Sequence, residues 1–317
     1  MIKSFFRKQD NWTIIGLLVT LFVMVVLFSV LSPYFLSTRN ALNIGQAISI
    51  RGLMAIGLTI VMISGGLDLS IAAAAAVSGM IAASLINAEV HGTTAGLAAL
   101  LGAAVLGSIN SFVIVKLRIN PIIATLGTLL LFRGLAFVVS GGDNVVIGVN
   151  TWSILGRGFY MGLPVSLIVY LVVLVLGMIF MRFTILGNYV YAIGGNTVAC
   201  RNVGIHVDRV RSGTYIFSAM IAGLAGLAIM SQAGTAMPSA MNGAELDIIA
   251  AVLLGGIALT GGRGTLFGTF LGTLIIGVIN NGLILTGVPV YWQMVVRGLI
   301  LIAAVALDSF RRGGGYR

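Results

Sequence analysis

Between Trp12 and Leu307 the chain is almost continuously apolar, and only short polar stretches interrupt it. Hydrophobic residues make up 59% of the sequence and charged residues 8%, against roughly 25% charged in ordinary soluble domains. A helix of about 20 apolar residues crosses the hydrocarbon core of a bilayer, and the chain has room for about ten such helices. The sequence therefore predicts an all-α polytopic membrane protein with a single transmembrane domain, residues 1–317.

Ten apolar runs, each bounded by breaking residues, are predicted to be the spans. The third and the eighth run are short, and are expected to be tilted, re-entrant or discontinuous. The spans cover about residues 12–32, 44–64, 70–87, 94–115, 121–140, 164–181, 213–232, 245–260, 265–286 and 291–307.

The basic residues orient these spans, because cytoplasmic loops collect Lys and Arg. With the N-terminus inside, only Arg39 and Arg157 fall in outer loops, while Arg51, Arg133 and Arg297 lie within spans. Both termini are therefore expected in the cytoplasm. The net charge of +10 is explained by this asymmetry, and no nucleic-acid partner is expected. The inner set is Lys3, Arg7, Lys8, Lys116, Arg118, Arg182, Arg201, Arg209, Arg211, Arg263, Arg311, Arg312 and Arg317.

The sequence lacks the residue patterns of the common enzyme classes. None of its lysines follows a glycine, so the phosphate-binding loop G-x-x-x-x-G-K-[ST] is not present. Cys200 is the single cysteine, which excludes an intrachain disulfide and a thiolate metal cluster. His91 and His206 are predicted on opposite sides of the membrane and cannot share a metal. We expect no catalytic residue, no metal and no cofactor bound by this chain.

The longest predicted inner loop, residues 182–212, carries a short helical signal. Asn196 is a favourable N-cap and Gly204 a favourable C′ residue. A helix of two turns is not stable by itself in water, so it must dock against lipid headgroups or against a cytoplasmic partner. The apolar residues that share one face by their i+3 and i+4 spacing are Ala199, Cys200 and Val203.

Glycine is frequent, and its positions predict close packing and chain reversals. Gly264, Gly268 and Gly272 recur every four residues, a spacing that lets transmembrane helices approach closely. Gly-Gly pairs are placed near span ends, where turns need a permissive backbone. These pairs lie at residues 65–66, 141–142, 194–195, 255–256 and 261–262.

A series of short motifs extends over nearly the whole chain, from about Ser32 to Asp308. The motifs are GGLDLS at 65–70, YAIGGN at 191–196, ELDIIAAV at 245–252, LGG at 254–256, GGRGT at 261–265, NNGL at 280–283 and YWQM at 291–294. In this order and at this spacing they resemble the ribose/simple-sugar permease family of ABC importers.

The resemblance implies the type II ABC importer permease fold and a place in the bacterial inner membrane. It implies the transmembrane channel subunit of an ATP-driven, binding-protein-dependent importer of a monosaccharide, such as a ribose-like pentose or a hexose. A second permease copy or a sibling completes the channel. A cytoplasmic ABC ATPase consumes ATP-Mg, and a periplasmic or lipid-anchored sugar-binding protein delivers the sugar.

The segment at about residues 187–211 is similar to the part of the family that couples to the ATPase. The coupling residues that the resemblance implies are Asn196, Val198, Ala199, Cys200, Arg201, Val203 and Gly204. One departure stands out, because the family usually has a glycine near position 72, where this chain reads Ile71 followed by the five alanines 72–76. We expect altered packing of the third span, with an effect on substrate preference.

Ionisable groups within spans are costly and are usually paired. Arg133 is predicted to pair with Glu245 or Asp247, and Asp68 with Arg263, either as ion pairs between helices or as a gate. Uncharged polar groups suit the path of a neutral sugar, although the same groups can form hydrogen bonds between helices. Those in or beside spans are Asn43, Gln46, Asn110, Asn280, Asn281 and Gln293.

Three other functions remain open at this point. An ion-coupled secondary transporter would show internal repeats and midplane ionisable groups, whereas here no convincing repeat is found and the acids lie near span ends. An ABC permease for branched-chain amino acids or nucleosides would share the same architecture. A membrane scaffold without transport activity is the third alternative.

Overall fold

Each of the ten predicted spans corresponds to a helix in the computed structural model, which describes the backbone of residues 2–311 and the side chains of residues 13–306. In chain order the helices are α1 (Ile2–Leu31), α2 (Thr38–Ile63), α3 (Ile71–Asn87), α4 (Gly92–Ser111), α5 (Pro121–Ser140), α6 (Ser153–Arg157), α7 (Val165–Phe183), α8 (Ile185–Gly195), α9 (Thr197–Asn202), α10 (Val207–Ala233), α11 (Ala244–Leu254), α12 (Leu266–Leu285) and α13 (Val290–Arg311). A π-helical turn, Phe112–Lys116, continues α4.

Seven helices within the described residues are long and apolar enough to cross a membrane: α1, α2, α4, α5, α7, α10 and α12. As predicted, the third and eighth spans are short, since α3 has 17 residues and α11 has 11. At 1.5 Å per residue, α11 covers about half of a bilayer core of ~30 Å. The predicted extension of the eighth span to residue 260 is wrong, because Gly256 adopts a φ of +88° and turns the chain.

Side-chain caps begin several of the helices. Each capping side chain accepts a hydrogen bond from a backbone N–H of the first turn, which would otherwise be unsatisfied. The capping residues are Ser37 for α2, Asn120 for α5, Thr184 for α8, Asn196 for α9 and Thr265 for α12.

Helix α10 lies at the centre of the bundle and packs against α2, α3 and α4. Alanines 72–76 of α3 are all buried. A side chain at Gly226 of α10 would overlap the carbonyl oxygen of Ala75, so the two backbones are in direct contact. Alanine is small enough to maintain this tight contact; that the packing of the third span is altered relative to the family stays a prediction.

Helix α12 packs closely on α11 through two of the three glycines that the four-residue spacing singled out. A side chain at Gly268 or Gly272 would overlap the carbonyl oxygens of Gly255 or Ala251. Gly264 differs from the prediction, because it precedes the helix with a φ of +110° and belongs to the connecting turn.

The chain between α7 and α10 is more helical than the sequence suggested. The predicted loop 182–212 contains α8, α9 and the first turns of α10, which begins at Val207 instead of about residue 213. We call the end of the bundle that carries α8 and α9 the junction end. Two short antiparallel strand pairs lie at the other end of the bundle, near the start of α7 and the end of α10. They are β1 (Val145–Val146) with β4 (Thr235–Ala236), and β2 (Phe159–Tyr160) with β3 (Leu163–Pro164).

Candidate functional site

The ends of α2 and α8 and the α11–α12 connection meet at the junction end. The backbone N–H of Gly262 donates to the carbonyl oxygen of Ile63 at 2.8 Å, which joins the α11–α12 connection to the end of α2. A side chain at Gly194 of α8 would overlap both of these atoms. The Tyr191 hydroxyl donates to the carbonyl oxygen of Gly264 at 2.9 Å. Helix α8 is therefore fixed against α2 and the α11–α12 connection.

Arg211 of α10 holds the start of α9 in place. Its Nη2 donates to the Thr197 hydroxyl at 3.1 Å, and its Nε donates to the Ser64 carbonyl oxygen at 3.4 Å. The guanidinium thus bridges α9, α10 and the end of α2.

The predicted caps of α9 are present. Asn196 Oδ1 accepts from the backbone N–H of Ala199 at 2.9 Å, and Gly204 follows the helix with a φ of +83°. Arg201 forms an exposed ion pair with Asp208 at 3.0 Å. Such an exposed pair adds little stability, so the capping bonds and the packing of α9 fix its position.

The prediction that Ala199, Cys200 and Val203 form one apolar face of α9 is only partly correct. Cys200 is 6% exposed and packs inward against Ile193 and Val207. Val203, the C-cap residue of α9, is instead 75% exposed. Val198 is also exposed, and with Val203 it forms what we call the α9 surface. This apolar surface has no covering within the described part of the chain.

Because Cys200 is buried, we expect its thiol to react slowly with thiol reagents. In the folded chain, a maleimide should modify Cys200 at roughly one tenth, or less, of the rate at which it modifies a cysteine at position 203. That second cysteine is introduced by Val203→Cys in a Cys200→Ala background. The reason for the difference is that a buried thiol reacts only after local opening. Labelling rates followed by mass spectrometry test this. Equal rates for the two thiols, in protein that has not been denatured, would show that Cys200 lies on the outer face.

A buried polar cluster lies next to the junction. The Asp68 carboxylate, 1% exposed, accepts from the Ser70 hydroxyl at 2.6 Å and from the Ser70 backbone N–H at 2.9 Å. Asn110 Nδ2 donates to the Ser70 hydroxyl at 2.8 Å and lies 3.4 Å from Asp68 Oδ1. These bonds hold the carboxylate, whereas the predicted partner Arg263 is exposed.

At the opposite end of the bundle, Arg133 anchors the α10–α11 connection to α5. Its Nη1 donates to the carbonyl oxygens of Pro238 at 2.9 Å and Ala240 at 2.8 Å. Glu245 accepts from the backbone N–H of Gly243 at 3.2 Å. The hydrogen bonds of Arg133 therefore go to backbone carbonyls, while Glu245, one of its two predicted partners, lies near enough for the two charges to interact.

Asp247 instead belongs to a charged cluster with Arg51 and Arg297, which we call the Arg–Asp–Arg cluster. Arg297 Nη1 lies 3.7 Å from Asp247 Oδ2, and its Nε donates to Asn280 Oδ1 at 3.2 Å. Arg51 and Asp247 line the same small cavity between α2, α11 and α12. The cluster connects four helices, and one carboxylate faces two guanidinium groups.

Two of the uncharged candidates for the path form hydrogen bonds between elements. Gln46 Nε2 donates to the carbonyl oxygen of Gly156 at 2.7 Å. Asn40 and Asn281 form a reciprocal pair at 3.0 and 2.9 Å, which joins α2 to α12. These contacts correspond to the interhelical alternative.

The remaining candidates are dispersed. Gln293 Nε2 donates to the carbonyl oxygen of Val288 at 2.8 Å, near the start of its own helix, and Asn43 is exposed. Asn110 and Asn280 belong to the two clusters described above. The structure therefore does not bring the six residues to one cavity, and their role in lining a path stays a prediction.

Sequence reasoning missed three residues that these clusters depend on: Arg51, Arg297 and Arg211. The first two were placed within spans without a partner. Their signal was available, because two arginines in apolar helices require a counter-charge and few acids exist to supply it. Among the side chains described, no group of three His, Cys, Asp or Glu residues could hold a metal ion.

Comparison with known proteins shows which family the chain is similar to. A family model described as branched-chain amino acid transport system / permease component matches residues 40–305. The chain is 42% identical over 300 residues to the ribose import permease protein of Bacillus subtilis (strain 168), covering 93% of this chain and 92% of that protein.

Two further relatives are similar over comparable lengths. The chain is 38% identical over 296 residues to the ribose import permease protein of Escherichia coli (strain K12), covering 92% of each. It is 34% identical over 305 residues to the L-arabinose ABC transporter permease protein of Azospirillum brasilense, covering 95% of this chain and 90% of that protein. No solved structure matches the chain.

Proposed function

Because the chain belongs to the permease family of the ribose importers, whose family model is described as a branched-chain amino acid transport system / permease component, we propose that it is the membrane subunit of an ATP-driven importer of a monosaccharide. The observation that carries the proposal is the similarity to ribose import permeases, at 38–42% identity over at least 92% of this chain. The substrate is a ribose-like pentose, a hexose or a related small sugar.

The chain is a transporter component and not an enzyme, and its energy comes from outside. We propose a cytoplasmic ABC ATPase that uses ATP-Mg, a sugar-binding protein on the outer face and a second permease, identical or sibling, as its partners. The α9 surface is the docking site for the ATPase. In its favour, α9 has exposed apolar side chains, and it is held to the spans by the contacts of Arg211 and by the contacts between the end of α2 and the α11–α12 connection.

The proposed location is the bacterial inner membrane, with the junction end in the cytoplasm. The excess of Lys and Arg in the loops on this side supports that orientation. Docking at the α9 surface would then move the ends of α2, α10 and the α11–α12 connection together. Opening and closing of the path would follow from these rigid contacts, with no chemical step in this chain.

Reconstitution in vesicles tests this function. The chain alone should not accumulate ribose, even with a proton or sodium gradient, because the proposed energy source is the separate ATPase. Addition of the ATPase, the binding protein and ATP should give uptake against a gradient. Val203→Asp should insert normally but lose ATPase association and reduce uptake by more than about tenfold, because a desolvated carboxylate would be placed in an apolar contact.

The matched control is Val149→Asp, which changes the same residue type at a 94% exposed position in the loop after β1. This variant should retain ATPase association. Uptake by the chain alone, driven by an ion gradient, would establish a secondary transporter instead. Transport of a branched-chain amino acid, without transport of any sugar, would identify the other ABC permease alternative.

A further inference from the structure

An apolar groove of about 510 Å³ opens between α7, α8 and α10 at the junction end. Ile60 of α2 lies among its lining residues, and Phe180 of α7 and Phe217 of α10 also line it. Gly213 lines it with open space at its Cβ position, whereas a side chain at Gly177, which also lines it, would meet Leu266. Both α7 and α10 are long and apolar enough to cross the membrane, so the groove lies at the depth of the hydrocarbon chains.

The groove offers almost no polar group to an occupant. The hydroxyl of Thr214, which also lines it, already donates to the carbonyl oxygen of Arg211 at 2.8 Å. A sugar would lose its hydrogen bonds to water in such a site without replacing them. The lining thus favours a hydrocarbon chain.

One end of the groove carries a positive charge. Arg209, in the first turn of α10, is the charged residue among those described that line it. Its exposed side chain makes no hydrogen bond or ion pair with any other described residue, and the neighbouring acid, Asp208, is paired with Arg201. A guanidinium group at the end of a membrane helix lies at the level of the headgroups, where it binds phosphate in a bidentate manner.

We propose that this groove is a binding site for an anionic phospholipid, with one acyl chain between α7 and α10 and the headgroup phosphate on Arg209. Basic pockets between transmembrane helices are the sites that select anionic headgroups. The acyl chain would also contact Leu186 and Val190 of α8, which line the groove. The lipid would thereby stabilise the helix that precedes α9. This inference does not depend on the transported solute.

The test uses the full chain in nanodiscs of phosphatidylethanolamine and phosphatidylglycerol in equal amounts, with the retained lipids counted by native mass spectrometry. The wild-type chain should retain phosphatidylglycerol in preference. Gly213→Leu should lose most of the retained lipid, because the new side chain fills the groove. A Cβ at Gly213 meets no atom within 4 Å, and leucine favours the helix, so this variant should fold.

Arg209→Gln should reduce the preference for phosphatidylglycerol about fivefold, the ratio that corresponds to the contribution of one arginine near an anionic surface. Arg182→Gln is the matched control, because Arg182 lies at the same end of the bundle but contacts Phe183 and does not line the groove. It should retain the lipid as the wild type does. A thermal shift on addition of phosphatidylglycerol, lost in Gly213→Leu, provides a second measurement.

Three results would overturn the proposal. Equal retention of both lipids by all four proteins would show an adventitious annulus. Equal loss of preference in Arg182→Gln and Arg209→Gln would show a diffuse surface charge. If Gly213→Leu changes the oligomeric mass and leaves the retained lipid unchanged, the groove is occupied by a second copy of the chain.

Discussion

Gly194→Ala should reduce ATP-driven uptake by more than about tenfold and lower the free energy of unfolding by ~1–3 kcal/mol, the usual cost of an overpacked contact. The added methyl group would overlap the Ile63 carbonyl oxygen and the Gly262 amide, which are joined by a hydrogen bond of 2.8 Å. The substitution would therefore separate α8 from the end of α2. Thermal unfolding of the purified chain and uptake by the reconstituted complex provide the two measurements.

The adjacent residue supplies the control. Gly195→Ala introduces the same methyl group at the end of the same helix, but its Cβ meets no atom within 4 Å. Both substitutions have the same effect on intrinsic helix propensity, so a difference between them reports the junction contact alone. Identical melting temperatures and uptake for the two variants would mean that the ends of α2 and α8 and the α11–α12 connection do not meet as described.

Asp247→Asn should destabilise the chain by roughly 3 kcal/mol, the low end of the cost of breaking a buried ion pair. The carboxylate side chain is 4% exposed, and its loss leaves Arg51 and Arg297 without a counter-charge. Because Arg297 is 35% exposed, water should limit the cost. Chemical denaturation in detergent and the yield of folded protein in the membrane measure the effect.

The double variant Asp247→Asn/Arg297→Gln should recover part of the lost stability, since it removes one charge of each sign. Asp143→Asn, in the exposed turn after α5, is the matched control and should leave stability unchanged. The importance of the Arg–Asp–Arg cluster would be refuted if Asp247→Asn behaved like Asp143→Asn. It would also be refuted if the double variant lost the sum of both single effects.

Local signals in the sequence were sufficient for the helices and several of their ends. The apolar runs identified ten helices, seven of which are long and apolar enough to cross a membrane within the described residues, because the bilayer permits few structures other than helices that satisfy their own backbone. Asn196 and Gly204 defined the ends of α9, since capping depends on neighbouring residues only. The spacing of Gly268 and Gly272 predicted a close helix contact for the same reason.

Pairing of charges could not be obtained from the sequence. Arg133 was predicted to pair with Glu245 or Asp247 because all three lay at the same depth, but depth alone does not fix which acid is the neighbour, and it is Glu245 whose charge acts on Arg133. The packing order places Asp247 beside Arg297 and Arg51, while Arg133 reaches the backbone of the α10–α11 connection. The uncharged candidates were likewise dispersed instead of meeting in one cavity: Gln46 and Asn281 bond to other elements, Gln293 bonds near the start of its own helix, and Asn43 is exposed.

By itself the sequence determined that this is a polytopic membrane protein, where its helices run and which family its motifs resemble, because these properties follow from apolar length, capping and residue order. Only the tertiary structure decided which face of α9 is exposed and that the segments at Ile63, Gly194 and Gly262 are in contact. The physical reason is that these features depend on contacts between residues distant in sequence. Their geometry is set by the packing of whole helices, and no single segment of the sequence contains a local signal for that packing.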